Sequence, residues 1–332
     1  MSHIFSEIDF NQNGKQTGFL RLPHSVHRSA YGWIPIPIVM IKNGEGPTVL
    51  LMSGNHGDEY EGQVTICKLV QELEAEDIQG RLIMLPMANY PAALAGLRTS
   101  PIDEGNLNRT FPGNKDGNPT QIIADYIETV LLPLCDYLLD MHSGGSSLIY
   151  PTTILRPKAE SPEEDEIMAK LQEVFDAPYG IIMAAGSGAD PRVSSAAAQR
   201  NGVRALGTEA GGSGTVSPKI LAEVDRGVRR YLNHIGILPG YTPDAPHGIR
   251  LMEMTSDAHF VFARDEGLFE PYVEICTEVK KDQAAGAIHH PETPWVEPTI
   301  CYFKRDGLAV CKRVPGRVQR GDCLFHLITD IE

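Results

Sequence analysis

Two clusters of polar residues each follow an apolar run that is typical of a buried strand. The segment 54–59 (GNHGDE) follows the run 48–52, and the segment 140–145 (DMHSGG) follows the run 137–139. In an open α/β sheet, ligands bind outside the carboxyl ends of the strands. We therefore expect the two clusters to meet at one edge of a sheet.

His56, Glu59 and His142 are the candidate metal ligands in these clusters. Two imidazoles and a carboxylate are the protein ligands of a catalytic zinc with one open position. Such a zinc lowers the pKa of bound water to about 7 and supports hydrolysis. The spacing predicts one zinc per chain, although spacing alone leaves a metal-free arrangement open. A second His-x-x-Glu pair, His289 and Glu292, lies in a polar turn and is predicted to be surface loop.

The composition is that of an ordinary globular protein. Of the 332 residues, 42% are hydrophobic and 22% are charged, and the net charge is −14. This charge argues against nucleic acid or an anionic membrane as a partner, and no apolar run reaches the roughly 18 residues that span a bilayer. The first residues show no secretory signal. We expect a cytoplasmic protein whose six cysteines are reduced thiols.

The pattern of elements predicts an α/β protein with two domains. Residues 1–40 suggest short β elements, and the helical spacing of residues 60–74 begins a series of alternating strands and helices. This alternation predicts a mostly parallel sheet flanked by helices in a domain 1–240. Residues 89–118 form a long loop, of a kind that is often functional. Residues 241–332 contain short strands without a convincing helix and predict an all-β domain.

Two similar units recur within this β region. The segment 264–268 (RDEGL) is echoed by the segment 305–308 (RDGL). Such a repeat resembles the barrel-sandwich of biotinyl and lipoyl carriers, but the sequence lacks a modifiable lysine in a suitable motif. We expect the domain to be a structural cap or a lid over the substrate.

Two further motifs, 106–113 (NLNRTFPG) and 207–212 (GTEAGG), extend the set to four. Together with the segments 54–59 and 140–145, they make the chain similar to the succinylglutamate desuccinylase/aspartoacylase family. This family is a branch of the zinc carboxypeptidase-like hydrolases. The resemblance covers roughly residues 20–330, and it implies a zinc carboxypeptidase-like fold and hydrolysis of an amide bond.

The resemblance also implies roles for four side chains. Glu209 would be the general acid/base, and Arg98 would polarise the scissile carbonyl beside zinc. Asn108 and Arg109 would bind the substrate carboxylate, since arginine holds a carboxylate in a bidentate fork. A solvated surface position remains an alternative for both arginines. Independently of the resemblance, Asp140 could orient a ligand imidazole or instead cap a backbone group.

The stretches 54–62, 98–103, 105–113 and 267–271 are most similar to the branch that deacetylates N-α-acetyl-L-2,4-diaminobutyrate in ectoine breakdown. The resemblance therefore implies this N-acyl amino acid as the small-molecule substrate, with acetate as a product. Aspartoacylase-type or succinylglutamate desuccinylase-type deacylation remains open, as does peptide cleavage. A non-catalytic binding protein on the same fold is the alternative of another class. Assembly into a homo-oligomer is also left open.

Overall fold

The computed structural model describes residues 2–159, 161–183 and 190–331. Its strands are β1 (Phe5–Ser6), β2 (Gly14–Pro23), β3 (Trp33–Asn43), β4 (Thr48–Ser53), β5 (Gly80–Leu85), β6 (Tyr137–His142), β7 (Leu148–Pro157), β8 (Tyr179–Met183), β9 (Arg204–Gly212), β10 (Arg250–Met254), β11 (Phe260–Phe262), β12 (Gly267–Pro271), β13 (Thr277–Val279), β14 (Ala284–His289), β15 (Thr299–Tyr302), β16 (Gly307–Arg313), β17 (Arg317–Val318) and β18 (Cys323–Asp330). Its α-helices are α1 (Glu61–Glu72), α2 (Tyr90–Ala95), α3 (Pro119–Tyr126), α4 (Pro162–Phe175), α5 (Ser194–Arg200) and α6 (Pro218–His234).

The centre of the molecule is a mixed sheet whose middle strands run in the order β5-β4-β6-β9 and are parallel to one another. All six residues of β4 are buried, as expected for a strand that is covered on both faces. One hydrophobic cluster lies on each face: the first contains Leu50 and Ile83, and the second contains Leu51 and Leu139. The predicted α/β alternation and parallel centre are therefore present.

Antiparallel strands flank this parallel centre and make the sheet more mixed than the sequence predicts. On one side, β3 pairs antiparallel with β5, and β2 forms a long antiparallel hairpin with β3. On the other side, β7 runs antiparallel to β9. Only the five residues 143–147 separate β6 from β7. That connection is too short for the crossover that parallel strands require, so the chain turns back.

The hairpin also corrects the expectation of short β elements in residues 1–40, because β2 and β3 have 10 and 11 residues. Pro35 and Pro37 lie within β3 rather than at its ends. The register with β5 covers only Val39–Asn43 of β3. Both prolines therefore lie where one side of the strand has no β5 partner, and such positions tolerate a missing N–H.

The C-terminal strands are hydrogen-bonded to the central sheet. Strand β8 pairs with β10, which continues through β18 to β16, and β16 returns to pair with the first residues of β7. The five strands β7, β8, β10, β18 and β16 therefore close into a ring. A separate sheet has the order β15-β14-β12-β17 and packs over a third hydrophobic cluster that includes Phe303 and Phe325. The region is mainly β, as the sequence predicts.

Several local predictions can be compared directly with this structure. Helix α1 lies within the predicted segment 60–74, and all six cysteines are free thiols, as expected. His289 ends β14 and forms an exposed ion pair with Glu270, while Glu292 is exposed in the following turn. Neither residue belongs to the described cluster of potential metal ligands. None of the helices in the described ranges is both long enough and apolar enough to cross a membrane.

Candidate metal centre and active site

The carboxyl ends of three neighbouring strands build the candidate site. Strands β4, β6 and β9 are adjacent and parallel, with Ser53 of β4 opposite Met141 and His142 opposite Glu209. The segment that carries His56 leaves the sheet directly after Ser53. This topology brings polar residues from distant parts of the chain to one edge of the sheet.

His56, Glu59 and His142 lie together at this edge. The Nδ1 atom of His56 is 2.7 Å from one carboxylate oxygen of Glu59, and the Nδ1 atom of His142 is 2.8 Å from the other. The ligand atoms of the three residues all lie within 4.8 Å of one another. Glu59 and His56 are each only 3% exposed. A buried set of two imidazoles and a carboxylate suits a divalent cation such as zinc.

The outer nitrogens of both imidazoles support this fit. His56 Nε2 is 3.1 Å from Asn106 Oδ1, and His142 Nε2 is 2.8 Å from Asp140 Oδ2. Both acceptors are oxygens, so each Nε2 atom can donate a proton outward. That tautomer would leave the two Nδ1 lone pairs available to a metal ion at the shared centre. Metal-binding histidines usually have such an outer hydrogen-bond partner, which fixes the tautomer and ring orientation.

Charge at the centre favours a cation. Burial opposes ionisation of Glu59, yet His56 and His142 hold its pKa well below the ordinary value. Burial would also lower the pKa of His142, but Asp140 and Glu59 together raise it well above the usual range. In the absence of metal, a proton therefore occupies a position that a metal could take. Metal binding at this centre should release protons and weaken as the pH falls.

Asp140 joins several parts of the site. Besides His142, its Oδ2 atom accepts hydrogen bonds from Asn55 Nδ2 at 3.1 Å and from Ser194 Oγ at 2.5 Å. Asp140 is 3% exposed, and its Oδ1 atom has no hydrogen-bond partner among the described residues. These contacts place Asp140 where it can orient His142, which is one of the two alternatives left by the sequence.

Glu209 lies beside the ligand cluster. It lines a cavity of about 410 Å³ together with Asn108, Arg109 and His142. Within the described chain its Oε2 atom is buried and has no hydrogen-bond partner. Burial, and then the negative charge of Glu59, raises the pKa of Glu209 to about 8. A carboxyl group with a raised pKa beside a potential metal centre can accept and return a proton near neutral pH.

Arg98 and Asn108 approach the ligand cluster from the segment 89–118, which the sequence predicts to be a loop but which contains the helix α2. An Nη atom of Arg98 is 3.5 Å from a carboxylate oxygen of Glu59. The Nδ2 atom of Asn108 is 3.4 Å from His142 Nε2. That nitrogen already donates to Asp140, so we regard this approach as a packing contact. Both residues therefore lie close to the candidate ligands, and the substrate-binding and carbonyl-polarising roles assigned from the sequence stay predictions.

Arg109 lies on the rim of the cavity and is half-exposed. Its guanidinium donates to the carbonyl oxygen of Asn108 at 2.6 Å and lies 3.6 Å from Asp190. Burial and the nearby charge of Arg98 lower its pKa, while Asp190 opposes this shift. A cationic fork on the rim of the cavity that Glu209 lines is therefore available to a carboxylate ligand.

Two acidic residues of the stretch 54–62, Asp58 and Glu61, hold the neighbouring strand ends in place. Asp58 Oδ2 accepts hydrogen bonds from the amide and hydroxyl of Ser146, in the turn after β6. Glu61 packs against Gly211, at the end of β9. A Cβ atom at Gly145 or Gly211 would lie 2.6 or 2.2 Å from these carboxylates, and both glycines have positive φ. The motif therefore positions all three strand ends.

The seven site residues predicted from the sequence all lie around this one centre, although their catalytic roles stay predictions. The sequence did not identify the outer partners Asn55, Asn106 and Ser194, nor the supporting roles of Asp58 and Glu61. Asn55, Asn106 and both acids lie inside the stretches 54–62 and 105–113, so their positions were a usable signal. Ser194 had no such signal.

Comparison with known proteins places the chain among hydrolases of one family. The family model for the succinylglutamate desuccinylase/aspartoacylase catalytic domain matches residues 45–235. The chain is 39% identical over its full length to N-alpha-acetyl-L-2,4-diaminobutyric acid deacetylase of Halomonas elongata and covers 96% of that protein. The predicted family resemblance is therefore confirmed.

Two solved structures are similar over nearly the whole chain. The product-bound ectoine utilization protein EutE (DoeB) of Ruegeria pomeroyi is 37% identical, with a TM-score of 0.94 and 99% of both chains covered. A succinylglutamate desuccinylase/aspartoacylase of Rhodobacter sphaeroides is 36% identical, with a TM-score of 0.93, and the match covers 99% of this chain and 100% of that one. The chain belongs to the succinylglutamate desuccinylase/aspartoacylase family.

Proposed function

We propose that the protein is a zinc-dependent amidohydrolase that cleaves N-α-acetyl-L-2,4-diaminobutyrate into L-2,4-diaminobutyrate and acetate, a step of ectoine degradation. The observation that carries this proposal is the full-length similarity to a deacetylase of this substrate. The cluster of His56, Glu59 and His142, and the cavity that His142 lines together with Glu209, support it. We also assign the fold to the zinc carboxypeptidase-like hydrolases, with a catalytic domain 1–240 and a β domain 241–332. A cytoplasmic location stays a prediction.

In this proposal His56, Glu59 and His142 hold one zinc ion per chain. When bound, zinc polarises the acyl carbonyl and lowers the pKa of a bound water. Asn106 and Asp140 keep the two imidazoles oriented through their Nε2 atoms. The chain thus supplies a rigid and buried set of ligands.

Two groups from the long loop bind and orient the substrate. Asn108 and Arg109 hold its α-carboxylate. The side-chain amide of Asn108 donates one hydrogen bond, and the guanidinium of Arg109 binds the carboxylate as a charged fork. Arg98, beside Glu59, is placed to stabilise negative charge that develops on the acyl oxygen. This orientation puts the acetyl group toward the ligand cluster and the amino-acid part toward Asn108.

Glu209 moves the protons. Its carboxylate accepts a proton from the attacking water and then gives it to the leaving nitrogen. The raised pKa of about 8 describes the chain alone, and a nearby divalent cation lowers it. Glu209 is then ionised at neutral pH yet basic enough to take the proton.

The charge of the cavity favours a cationic side chain over a second carboxylate. Among the described residues that line the cavity, Asp140, Asp190 and Glu209 are acidic, and Arg109 and the imidazole of His142 can carry positive charge. An acetylated diaminobutyrate carries a side-chain ammonium group, which these acids attract. The second carboxylate of an aspartate or glutamate derivative is repelled by them. Once Arg109 binds the α-carboxylate, no further arginine or lysine among the described lining residues remains for a second carboxylate, which favours diaminobutyrate over the substrates of the other family branches.

A hydrolysis panel tests the proposal. N-α-acetyl-L-2,4-diaminobutyrate, N-acetyl-L-aspartate and N-succinyl-L-glutamate would be incubated with the purified protein, with its chelator-treated form and with zinc restored. We expect the first compound to be the best substrate, activity to vanish with the chelator, and zinc to restore it. Preference for a dicarboxylate would overturn the substrate, and unchanged activity after complete zinc removal would overturn the zinc mechanism.

A further inference from the structure

Ser194 contacts both Asp140, beside the metal ligands, and Asn108, in the proposed substrate-binding part of the site. It has no role in the mechanism above. It is the first residue of α5, it is 5% exposed, and it lies 54 residues after Asp140 along the chain. Its hydroxyl group donates to Asp140 Oδ2 at 2.5 Å. Its backbone amide donates to Asn108 Oδ1 at 2.8 Å. One buried residue therefore contacts a support of the metal ligands and a proposed substrate-binding residue.

The hydroxyl contact affects the orientation of Asp140. This carboxylate uses only Oδ2 to contact His142, Asn55 and Ser194, while its Oδ1 atom has no hydrogen-bond partner in the described part of the chain. No hydrogen bond from the described residues holds Oδ1 in place. The donors at Oδ2 therefore determine whether Asp140 stays aligned with His142 Nε2.

The amide contact affects the orientation of Asn108. A side-chain amide has an acceptor oxygen and a donor nitrogen that occupy similar space, so a flip costs little unless hydrogen bonds distinguish them. The Ser194 N–H fixes the oxygen on the α5 side. The nitrogen then lies on the side of His142, 3.4 Å from its Nε2 atom. Only this orientation offers a donor to a carboxylate bound in the cavity.

We propose that Ser194 is a positioning residue that holds Asp140 through its hydroxyl and Asn108 through its amide, and so links metal binding to substrate binding through the first turn of α5. This inference rests on the zinc-dependent deacetylase proposed above. It predicts that the two contacts can be removed separately, with different consequences.

Two substitutions separate them. Ser194→Ala removes the hydroxyl and keeps the amide donor. Ser194→Pro removes both donors, and proline is well accepted at the first position of a helix. The preceding Val193 already has an extended backbone, with φ −95° and ψ 160°, which is the conformation that a following proline requires. The comparison of the two variants therefore isolates the amide contact.

Zinc affinity, measured by competition with a chromogenic chelator, reports on the hydroxyl contact. We expect Ser194→Ala to bind zinc roughly tenfold more weakly than the wild type. This is the low end of the loss in metal affinity that is typical when a residue supporting the ligands is mutated. At saturating zinc its KM should stay close to that of the wild type. A zinc affinity within twofold of the wild type would overturn the proposal.

KM at saturating zinc reports on the amide contact. We expect Ser194→Pro to raise KM roughly tenfold above that of Ser194→Ala, because the Asn108 amide is free to flip and one hydrogen bond to a charged group is lost. The same change in an Asn108→Ala background should raise KM no further. A further rise there, or equal KM values for the alanine and proline variants, would refute the amide role.

A matched control removes a serine hydroxyl at another helix start. Ser161 precedes α4, and its hydroxyl accepts a hydrogen bond from the Glu164 amide. Ser161→Ala should lower only the melting temperature and leave zinc affinity and KM unchanged. If Ser194→Pro does not fold, the zinc affinity of Ser194→Ala decides the proposal. If the wild type binds zinc and deacetylates the substrate, and Ser194→Ala has the same zinc affinity, only the positioning role of Ser194 is rejected. If the wild type is inactive, the proposed function is rejected.

Discussion

Glu61→Gln is expected to stabilise the metal-free protein at alkaline pH and to have little effect at acid pH. Glu61 begins α1 and is 2% exposed. One carboxylate oxygen lies 3.4 Å from the Ser217 amide, and the other is buried without a hydrogen-bond partner among the described residues. Burial raises its pKa from 4.5 to about 7, and the charge of Glu59 adds to this shift.

The pKa difference sets the size of the effect. A rise of about 2.5 units, at about 1.36 kcal/mol per unit, corresponds to roughly 3 kcal/mol. Because the folded state holds the proton more tightly than the unfolded state, Glu61 carries no penalty below pH 4.5. The penalty grows between pH 4.5 and 7 and is complete above pH 7. Glutamine has nearly the same shape as glutamic acid and stays neutral throughout, so it avoids this penalty.

Denaturant unfolding in the presence of a chelator, at pH 5 and at pH 8, measures the effect. The variant should match the wild type within about 1 kcal/mol at pH 5 and exceed it by roughly 2–3 kcal/mol at pH 8. Glu76→Gln, at an exposed position after α1, is the control, because surface substitutions usually change the free energy of unfolding by less than about 0.5 kcal/mol. The reasoning fails if Glu61→Gln is destabilised at pH 8, because Glu61 would then be a favourably paired carboxylate.

Four further predictions address the site. His142→Ala should lower the zinc content from one per chain to a small fraction in elemental analysis, and full occupancy would remove His142 from the ligand set. Glu209→Gln should keep zinc and fold while kcat falls roughly 100-fold or more; near-normal turnover would mean that another group moves the proton. Since burial raises the pKa of Glu209 to about 8 and a cation lowers it, the wild-type kcat/KM should rise with pH along a limb between pH 4.5 and 8. If kcat/KM completes its rise below pH 4.5, a raised pKa of Glu209 does not set the pH dependence. Arg109→Ala should lower kcat/KM for the acetylated amino acid by the equivalent of roughly 2 kcal/mol or more, and Arg109→Lys should recover little of this loss. An N-acyl amine without the carboxylate should be hydrolysed equally poorly by the wild type and both variants. If Arg109→Ala keeps the wild-type kcat/KM, the substrate carboxylate binds elsewhere.

The centre of the site could be predicted because its main residues follow strands. His56 and His142 come directly after or at the end of buried runs, and the parallel order of β4, β6 and β9 brings such positions together. The sequence shows both the strands and the residue types. Position at a strand end is therefore a signal that one sequence can carry.

The role of Ser194 could not be predicted, for the opposite reason. Ser194 contacts Asp140 and Asn108, which lie 54 and 86 residues away along the chain. It lies in a short helix, α5, that no periodic pattern indicated. Serine is also common in surface turns, so its type suggested no role. Such contacts depend on how separate elements pack, which local sequence does not specify.

The arrangement of strands was predictable only in part. Alternating strands and helices indicated the parallel centre correctly. The antiparallel direction of β7 follows from the short turn 143–147. The length of this turn is known only after the ends of β6 and β7 have been located. The sequence pattern of a buried strand is similar in either direction, so it leaves the direction open.

The closed ring of β7, β8, β10, β18 and β16 has a consequence for dissecting the protein. Residues 241–332 supply three of these five strands, so a chain that stopped at residue 240 would lose every hydrogen bond that β10 gives to β8 and that β16 gives to β7. The exposed strand edges would be templates for pairing with other chains. A shortened protein should therefore aggregate rather than survive as a minimal enzyme. The change of secondary structure near residue 240 is a boundary in the sequence, but the backbone hydrogen bonds cross it.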